Sequence, residues 1–125
     1  MPHNEKGARA ERELLKLLYG RGWAVMRSAG SGHNALSPDL VAVKGRVCVA
    51  FECKNRECPS LFIDSAQFAT LQAWEARSGF DAYVAWRMNL VGWRFLRLFQ
   101  FKATPKGYSF PRSRVLAESW TLDSF

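Results

Sequence analysis

Two apolar segments joined by a short turn constrain the fold of this chain most strongly. The first reads PDLVAV (38–43) and the second RVCVAFECK (46–54), and the Lys44-Gly45 dipeptide between them predicts a β-hairpin. Alternate side chains of a strand point to opposite faces, and one face of this hairpin is uniformly apolar. That face comprises Pro38, Leu40, Ala42, Val47, Val49, Phe51 and Cys53. We expect it to pack against the core.

The other face of the hairpin carries charge. With a Lys44-Gly45 turn, Asp39 lies opposite Ala50, and alternation places Glu52 and Lys54 on the face that holds Asp39. Asp39 and Glu52 are then diagonal neighbours, roughly 7 to 8 Å apart at the backbone, and their carboxylates could bind one divalent cation. Lys54 could orient or deprotonate a water on that cation, or stabilise developing negative charge. The alternative is an exposed Glu–Lys pair worth under about 1 kcal/mol.

The remaining periodicity predicts one α/β domain over residues 1–125, with a core at about 5–101. A helix begins near Asn4 and ends at the glycines 20 and 22, with Glu11 on its apolar stripe of Leu14, Leu15 and Leu18. WAVMRS predicts a short strand, FIDSAQFATLQAWEARSG a second helix, and FDAYVAWRM and GWRFLRLFQF two further strands. Residues 102–125 show no clear pattern and are left as a C-terminal extension.

Charge and cysteine usage narrow the class of protein. The 125 residues carry 18 Lys and Arg against 11 Asp and Glu, a net charge of +7 that suits a nucleic acid but also fits a merely soluble basic protein. Cys48, Cys53 and Cys58 match neither a disulfide framework nor a CxxC knuckle, so reduced thiols and a cytoplasmic location are expected. A zinc site built on them with His33 is disfavoured, because Cys48 and Cys53 face opposite sides of their strand. No signal peptide or membrane span is expected.

Pro38-Asp39, twelve intervening residues and then Glu52-Cys53-Lys54 resemble the PD-(D/E)xK nuclease signature. The resemblance extends to KGARAERELLKLLYGRGWAVMRSAGSG, SPDLVAVKGRVCVAFECKNRE and YVAWRMNLVGWRF, which are similar to the archaeal Holliday junction resolvases over roughly residues 6–97. Beyond Phe101 we expect the chain to match the family poorly. The resemblance implies a restriction-endonuclease-like α/β domain, in which helices flank a central mixed sheet of about five strands.

The resemblance also implies roles for individual residues. Asp39, Glu52 and Glu11 would be metal ligands together with the backbone carbonyl of Cys53, and Lys54 would be the catalytic lysine. Ser31 lies in a loop where some members of the family carry a serine needed for cleavage. Arg87 stands where the family usually has lysine, which favours a phosphate clamp over a proton carrier. The other expected DNA contacts are Lys6, Arg9, Arg12, Arg27, Ser28, His33, Arg56 and Gln67.

The implied activity is hydrolysis of DNA phosphodiester bonds that depends on Mg²⁺, with Mn²⁺ as a substitute and without a nucleotide cofactor or a membrane. A homodimer would nick opposite strands of a four-way junction. GWRFLRLFQF and Trp74 are expected to form the dimer surface, unless this segment is an ordinary core strand, and the loop 29–37 is expected to order on DNA. The alternatives are another PD-(D/E)xK endonuclease, of repair or restriction type, and a non-catalytic DNA-binding module of the same fold.

Overall fold

A five-stranded mixed sheet forms the centre of the computed structural model, which describes residues 2–28 and 36–125, and only the backbone of residues 2–4. The chain forms, in order, α1 (Pro2–Gly20), β1 (Ala24–Arg27), β2 (Leu40–Lys44), β3 (Val47–Asn55), β4 (Ser60–Asp64), α2 (Ser65–Ser78), β5 (Asp81–Met88), β6 (Gly92–Arg97), β7 (Lys102–Thr104), β8 (Gly107–Pro111) and α3 (Val115–Glu118). Short 3₁₀ helices follow β6, β8 and α3 at Leu98–Gln100, Arg112–Arg114 and Leu122–Ser124. The sheet order is β1-β2-β3-β5-β6, with β3 and β5 parallel and the other pairs antiparallel. The predicted mixed sheet of about five strands flanked by helices is confirmed.

Both faces of this sheet are covered, which explains why its central strands are apolar along their length. On one face α1 buries Leu14 and Leu18 against β2, β3 and β5, as the apolar stripe predicted. On the other face α2 buries Phe68 and Leu71. None of the helices in the described part of the chain has the length and apolar character needed to span a bilayer.

The hairpin register differs from the prediction by two residues. Lys44 pairs with Val47, so Gly45 and Arg46 form the turn, and Gly45 has a φ of 61°. A two-residue turn of this kind takes glycine at its first central position, because a positive φ is needed there. A slip of two residues keeps every side chain on its predicted face. Leu40 now pairs with Phe51, so Asp39, one step further out, is level with Glu52 rather than diagonal to it.

The second helix begins later than predicted. Residues 60–64 form β4, in which Leu61 and Ile63 are buried and their neighbours are exposed. Asp64 ends this strand and caps α2, since its carboxylate accepts a hydrogen bond of 2.8 Å from the backbone N–H of Gln67. Assigning FID to the helix was therefore wrong.

Residues 102–125 are part of the packed structure rather than an extension outside the core. The strand β8 lies between β4 and β7 in a second, three-stranded sheet, and it buries Phe110. Phe125 packs against Phe51 and Phe95 with ring centroids 5.3 and 4.8 Å apart, and Trp120 bridges to Phe95 by backbone hydrogen bonds. The prediction that the core ends at about residue 101 placed its end too early. The reason is that part of β4, the strand that pairs with β8, had been assigned to the second helix.

The segment GWRFLRLFQF forms β6 and a 3₁₀ helix, and its large side chains lie mostly inside the protein. Its buried members are Trp93, Phe95, Leu96, Leu98 and Phe101, whereas Phe99 is exposed. Phe95 packs on the α1 side of the sheet and Leu96 on the α2 side. The buried side chains support the alternative of a core strand, and the dimer surface stays a prediction.

Candidate active site

Asp39 and Glu52 meet at the end of the β2–β3 hairpin. The backbone N–H of Cys53 donates a hydrogen bond of 2.9 Å to Asp39 Oδ2, which ties the loop before β2 to β3. Glu52 lies on β3 and is only 7% exposed, although glutamate is a charged residue. A buried carboxylate of this kind is unfavourable unless it is paired, protonated or bound to a cation.

The pKa values of both carboxyls reflect this environment. Burial and, after it, the nearby charge of Asp39 together raise the pKa of Glu52 to about 8. Burial likewise raises the pKa of Asp39 to about 6, although the hydrogen bond from Cys53 opposes the rise. The charge of Glu11 adds to the rise at both groups. The pair is therefore an electrostatically unfavourable cluster that a cation would stabilise.

Lys54 lies beside this pair, and an amide joins it to Glu52. Its Nζ is 4.0 Å from Glu52 Oε2 and donates a hydrogen bond of 2.8 Å to Gln67 Oε1. Gln67 Nε2 in turn donates a hydrogen bond of 2.7 Å to Glu52 Oε2. Burial lowers the pKa of Lys54. Gln67, which had been expected to contact DNA, thus contacts two of the predicted catalytic side chains.

Helix α1 supplies two glutamates that each bind an arginine from the sheet. Glu11 accepts a hydrogen bond of 2.8 Å from Arg27 Nε at the end of β1. Glu13 accepts one of 2.8 Å from Arg87 Nε on β5 and one of 2.6 Å from the indole N–H of Trp93. The hydrogen bond from Arg87 is the main reason why the pKa of Glu13 is lowered. Glu13 was not among the predicted site residues, and its position two residues after Glu11 gave no signal of this contact.

The other predicted DNA contacts lie around this cluster or outside the described residues. Lys6, Arg9, Glu13, Asn55 and Arg87 line a cleft of about 440 Å³ together with Ala10. Arg12 and Arg56 are exposed, and the hydroxyl of Ser28 lies 3.0 Å from that of Ser37. Ser31 and His33 lie outside the described residues, as does most of the loop 29–37 that is expected to order on DNA.

The donor set fits a hard divalent cation. Among residues 2–28 and 36–125, no three His, Cys, Asp or Glu side chains form a ligand group, so the structure does not bring Glu11 together with Asp39 and Glu52 as a third ligand. Mg²⁺ commonly takes one or two carboxylates and completes its octahedron with water and substrate phosphate, which these two carboxylates allow. The N–H of Cys53 points toward Asp39, and the carbonyl of the same strand residue points the same way. Cys53 is partly buried, and burial raises the pKa of its thiol, which disfavours the thiol as a ligand.

Comparison with known proteins gives consistent matches along the chain. A family model described as archaeal Holliday junction resolvase (Hjc) matches residues 2–124. The crossover junction endodeoxyribonuclease Hjc of Archaeoglobus fulgidus is 35% identical over 109 residues, covering 86% of this chain and 80% of the relative. The enzyme of the same name from Sulfolobus acidocaldarius is 28% identical, covering 86% and 76%. The match to the family model reaches residue 124, so the expectation of a poor match beyond Phe101 was wrong.

A solved structure also matches. The structure of Archaeoglobus fulgidus Hjc, described as a Holliday junction resolvase from an archaeal hyperthermophile, superposes with a TM-score of 0.86 at 30% identity. The match covers 94% of this chain and 98% of the other. A match of this length is long enough to include the second sheet.

Proposed function

This chain belongs to the archaeal Holliday junction resolvase family, and on that premise we propose that it is an endonuclease that resolves four-way DNA junctions by hydrolysing phosphodiester bonds on opposite strands. The observation that carries the proposal is the buried Glu52, with the partly buried Asp39 and with Lys54 beside it. A protein that only bound DNA would gain nothing from two carboxylates whose ionised forms burial disfavours.

The residues divide the chemistry among them. Asp39 and Glu52, with the carbonyl of Cys53 as a further ligand, would hold Mg²⁺ or Mn²⁺, which would supply positive charge to the scissile phosphate and lower the pKa of the attacking water. Glu11 is paired with Arg27 and is not part of this ligand set. The ammonium of Lys54 donates hydrogen bonds, so it orients the water and stabilises negative charge that develops on the phosphate oxygens. Ser31 remains a predicted contributor to cleavage.

Arginine and lysine side chains around the carboxylates supply the contacts to the DNA backbone. Arg27 and Arg87 lie on strands β1 and β5, on either side of β2 and β3, which carry the carboxylate site. Lys6, Arg9 and Arg87 line one cleft, which suits a run of phosphates. A net charge of +7 favours association with a polyanion of any sequence. Selectivity for a junction would then come from its shape.

Paired incisions require two active sites, and each chain carries one pair of facing carboxylates, so we propose a homodimer that acts inside the cell. Trp74 remains a candidate for the interface, because it lines a surface groove on α2 with Leu36, Ala69 and Ala73. Light scattering at micromolar concentration should give twice the mass of the monomer. A monomer under these conditions would contradict the dimer.

The central experiment compares cleavage of a labelled four-way junction with that of a linear duplex built from the same arms, in Mg²⁺. The wild-type protein should make symmetric nicks in the junction only, and Glu52→Ala should abolish them while junction binding persists. Glu118→Gln, which alters an exposed glutamate on α3, is the matched control and should cleave normally.

Each alternative predicts a different result in this experiment. Cleavage of both substrates by the wild-type protein would indicate an endonuclease of repair or restriction type. Tight junction binding without cleavage in Mg²⁺ or Mn²⁺ would indicate a non-catalytic DNA-binding module.

A further inference from the structure

The side-chain amide of Gln67 joins the two charged groups of the β3 site. Its oxygen accepts a hydrogen bond of 2.8 Å from Lys54 Nζ, and its nitrogen donates one of 2.7 Å to Glu52 Oε2. The direct distance between the two charged groups, from Lys54 Nζ to Glu52 Oε2, is 4.0 Å. The amide therefore bridges a lysine and a glutamate that do not form a close ion pair with each other.

The partners themselves fix the orientation of the amide. An ammonium group has only donors, so Lys54 must take the amide oxygen. The NH₂ group is then left for the carboxylate of Glu52, which has acceptors when it is ionised. A glutamine satisfies both neighbours at once, whereas a lysine, a glutamate or an apolar side chain at this position cannot.

The backbone of Gln67 is held rigidly. Its N–H donates to the capping carboxylate of Asp64 at 2.8 Å, which places it in the first turn of α2. The next residue, Phe68, and then Leu71 are almost fully buried and fix the helix against the sheet. The amide thus reaches the site from a packed helix rather than from a loop.

We propose that Gln67 is a positioning residue, which holds Lys54 and Glu52 apart so that Glu52 stays available to a divalent cation and Lys54 stays available to the substrate. This inference rests on the proposed nuclease function. Without the amide, Lys54 and Glu52 would be free to close into a direct ion pair. That pair would compete with a cation for the carboxylate and turn the ammonium away from the phosphate. Residues that orient metal ligands in this way commonly contribute about 10- to 100-fold in metal affinity or activity.

Gln67→Met tests the proposal, because methionine keeps the length and the unbranched shape of the side chain but removes both hydrogen bonds. The control is Gln72→Met, which makes the same change at an exposed position on the same helix. Three quantities are measured: the single-turnover rate of junction cleavage at saturating protein and Mg²⁺, the Kd for the junction in EDTA, and the binding of Mn²⁺ without DNA, read from the loss of the free-ion electron paramagnetic resonance signal.

We expect Gln67→Met to cleave about 10- to 100-fold more slowly and to bind Mn²⁺ more weakly, while its Kd for the junction changes less than about threefold. Gln72→Met should match the wild type in all three measurements. A cleavage rate and a Mn²⁺ affinity equal to those of the wild type would overturn the proposal. So would a loss of junction binding that accounts for the whole loss of cleavage, because Gln67 would then be a DNA contact.

Gln67→Glu keeps the test decisive if Gln67→Met does not fold. It preserves the shape and the acceptor for Lys54 but replaces the donor to Glu52 by a second carboxylate, so we expect at least a tenfold loss of rate, and a wild-type rate would overturn the proposal. If the wild-type protein itself cleaves no junction, it is the proposed function that fails, and the Mn²⁺ measurement still decides whether Gln67 positions Glu52.

Discussion

The raised pKa values of Glu52 and Asp39 predict that the metal-free protein loses stability as the pH rises from 5 to 8. The pKa of Glu52 is about 8 in the folded protein, against 4.5 for the ordinary group. Between these values the folded protein holds a proton that the unfolded chain has released. Raising the pH therefore shifts the equilibrium toward unfolding. Asp39 acts in the same direction between 3.8 and about 6.

The size of the effect follows from the shift. For Glu52, a rise from 4.5 to about 8 sets an upper limit of about 5 kcal/mol, at about 1.36 kcal/mol for each pH unit. The two carboxyls share their titration, since protonating one removes the repulsion on the other, so we expect a fall of about 2 to 4 kcal/mol. This fall is a large part of the free energy of unfolding of a typical domain, which is about 5 to 15 kcal/mol. The lowered pKa of Lys54 has the opposite effect on stability. Between that pKa and 10.5 the stability rises with pH, because the unfolded chain holds a proton that the folded protein has released.

Urea unfolding in EDTA at pH 5, 6, 7 and 8, followed by tryptophan fluorescence, measures this dependence. Glu52→Gln should be more stable than the wild type at pH 8 and should lose most of the slope, because no charge is then forced into the buried site. Glu5→Gln, at an exposed position in α1, should keep the slope of the wild type. Adding millimolar Mg²⁺ at pH 8 should increase the stability of the wild type but should leave that of Glu52→Gln unchanged. A wild-type stability that is constant or rises over this range would refute the reasoning.

Three further changes have expected outcomes. Gly107→Ala should destabilise the protein by about 2 to 3 kcal/mol in urea unfolding, because the added methyl group would collide with the carbonyl of Ile63; an unchanged midpoint would count against the described pairing of β4 with β8. Asp64→Ala should cost about 1 kcal/mol through loss of the α2 cap, and Asp64→Asn should recover most of it; equal losses in both variants would argue against capping. Arg87→Gln should weaken junction binding and lower the slope of log Kd against log salt by about 1, and an unchanged slope would exclude a phosphate contact.

The sequence predicts the faces of the hairpin correctly even though the predicted register was wrong. Alternation depends only on whether a register shift is odd or even, and the shift was two residues. Asp39 and Glu52 therefore lie together in the structure, and closer than the diagonal arrangement that had been expected. The turn itself was harder to place, because Lys44-Gly45 and Gly45-Arg46 are both acceptable two-residue turns in this sequence.

The strand β4 and the C-terminal sheet could not be predicted for a different reason. Residues 60–64 precede a helix directly, and the apolar pair Phe62 and Ile63 fits the helical pattern as well as it fits a strand. Within residues 60–64 only Leu61 and Ile63 are buried, which is the alternating pattern of a strand. This pattern can be recognised only once the partner strand is known. That partner, β8, lies more than forty residues later in the chain. Since the pairing is long-range, neither strand identifies the other from local sequence.

The positions of the charged contacts depend on the same long-range order of strands. Glu11 and Glu13 are two residues apart on α1, so they point in different directions, one to Arg27 on β1 and the other to Arg87 on β5. The chain places β5 beside β3 through a parallel pairing that crosses over by way of α2. The same crossover brings Gln67 of α2 to Glu52 and Lys54. The residue types of the site can therefore be predicted from the hairpin, whereas the partners that orient them follow from which strand lies next to β3.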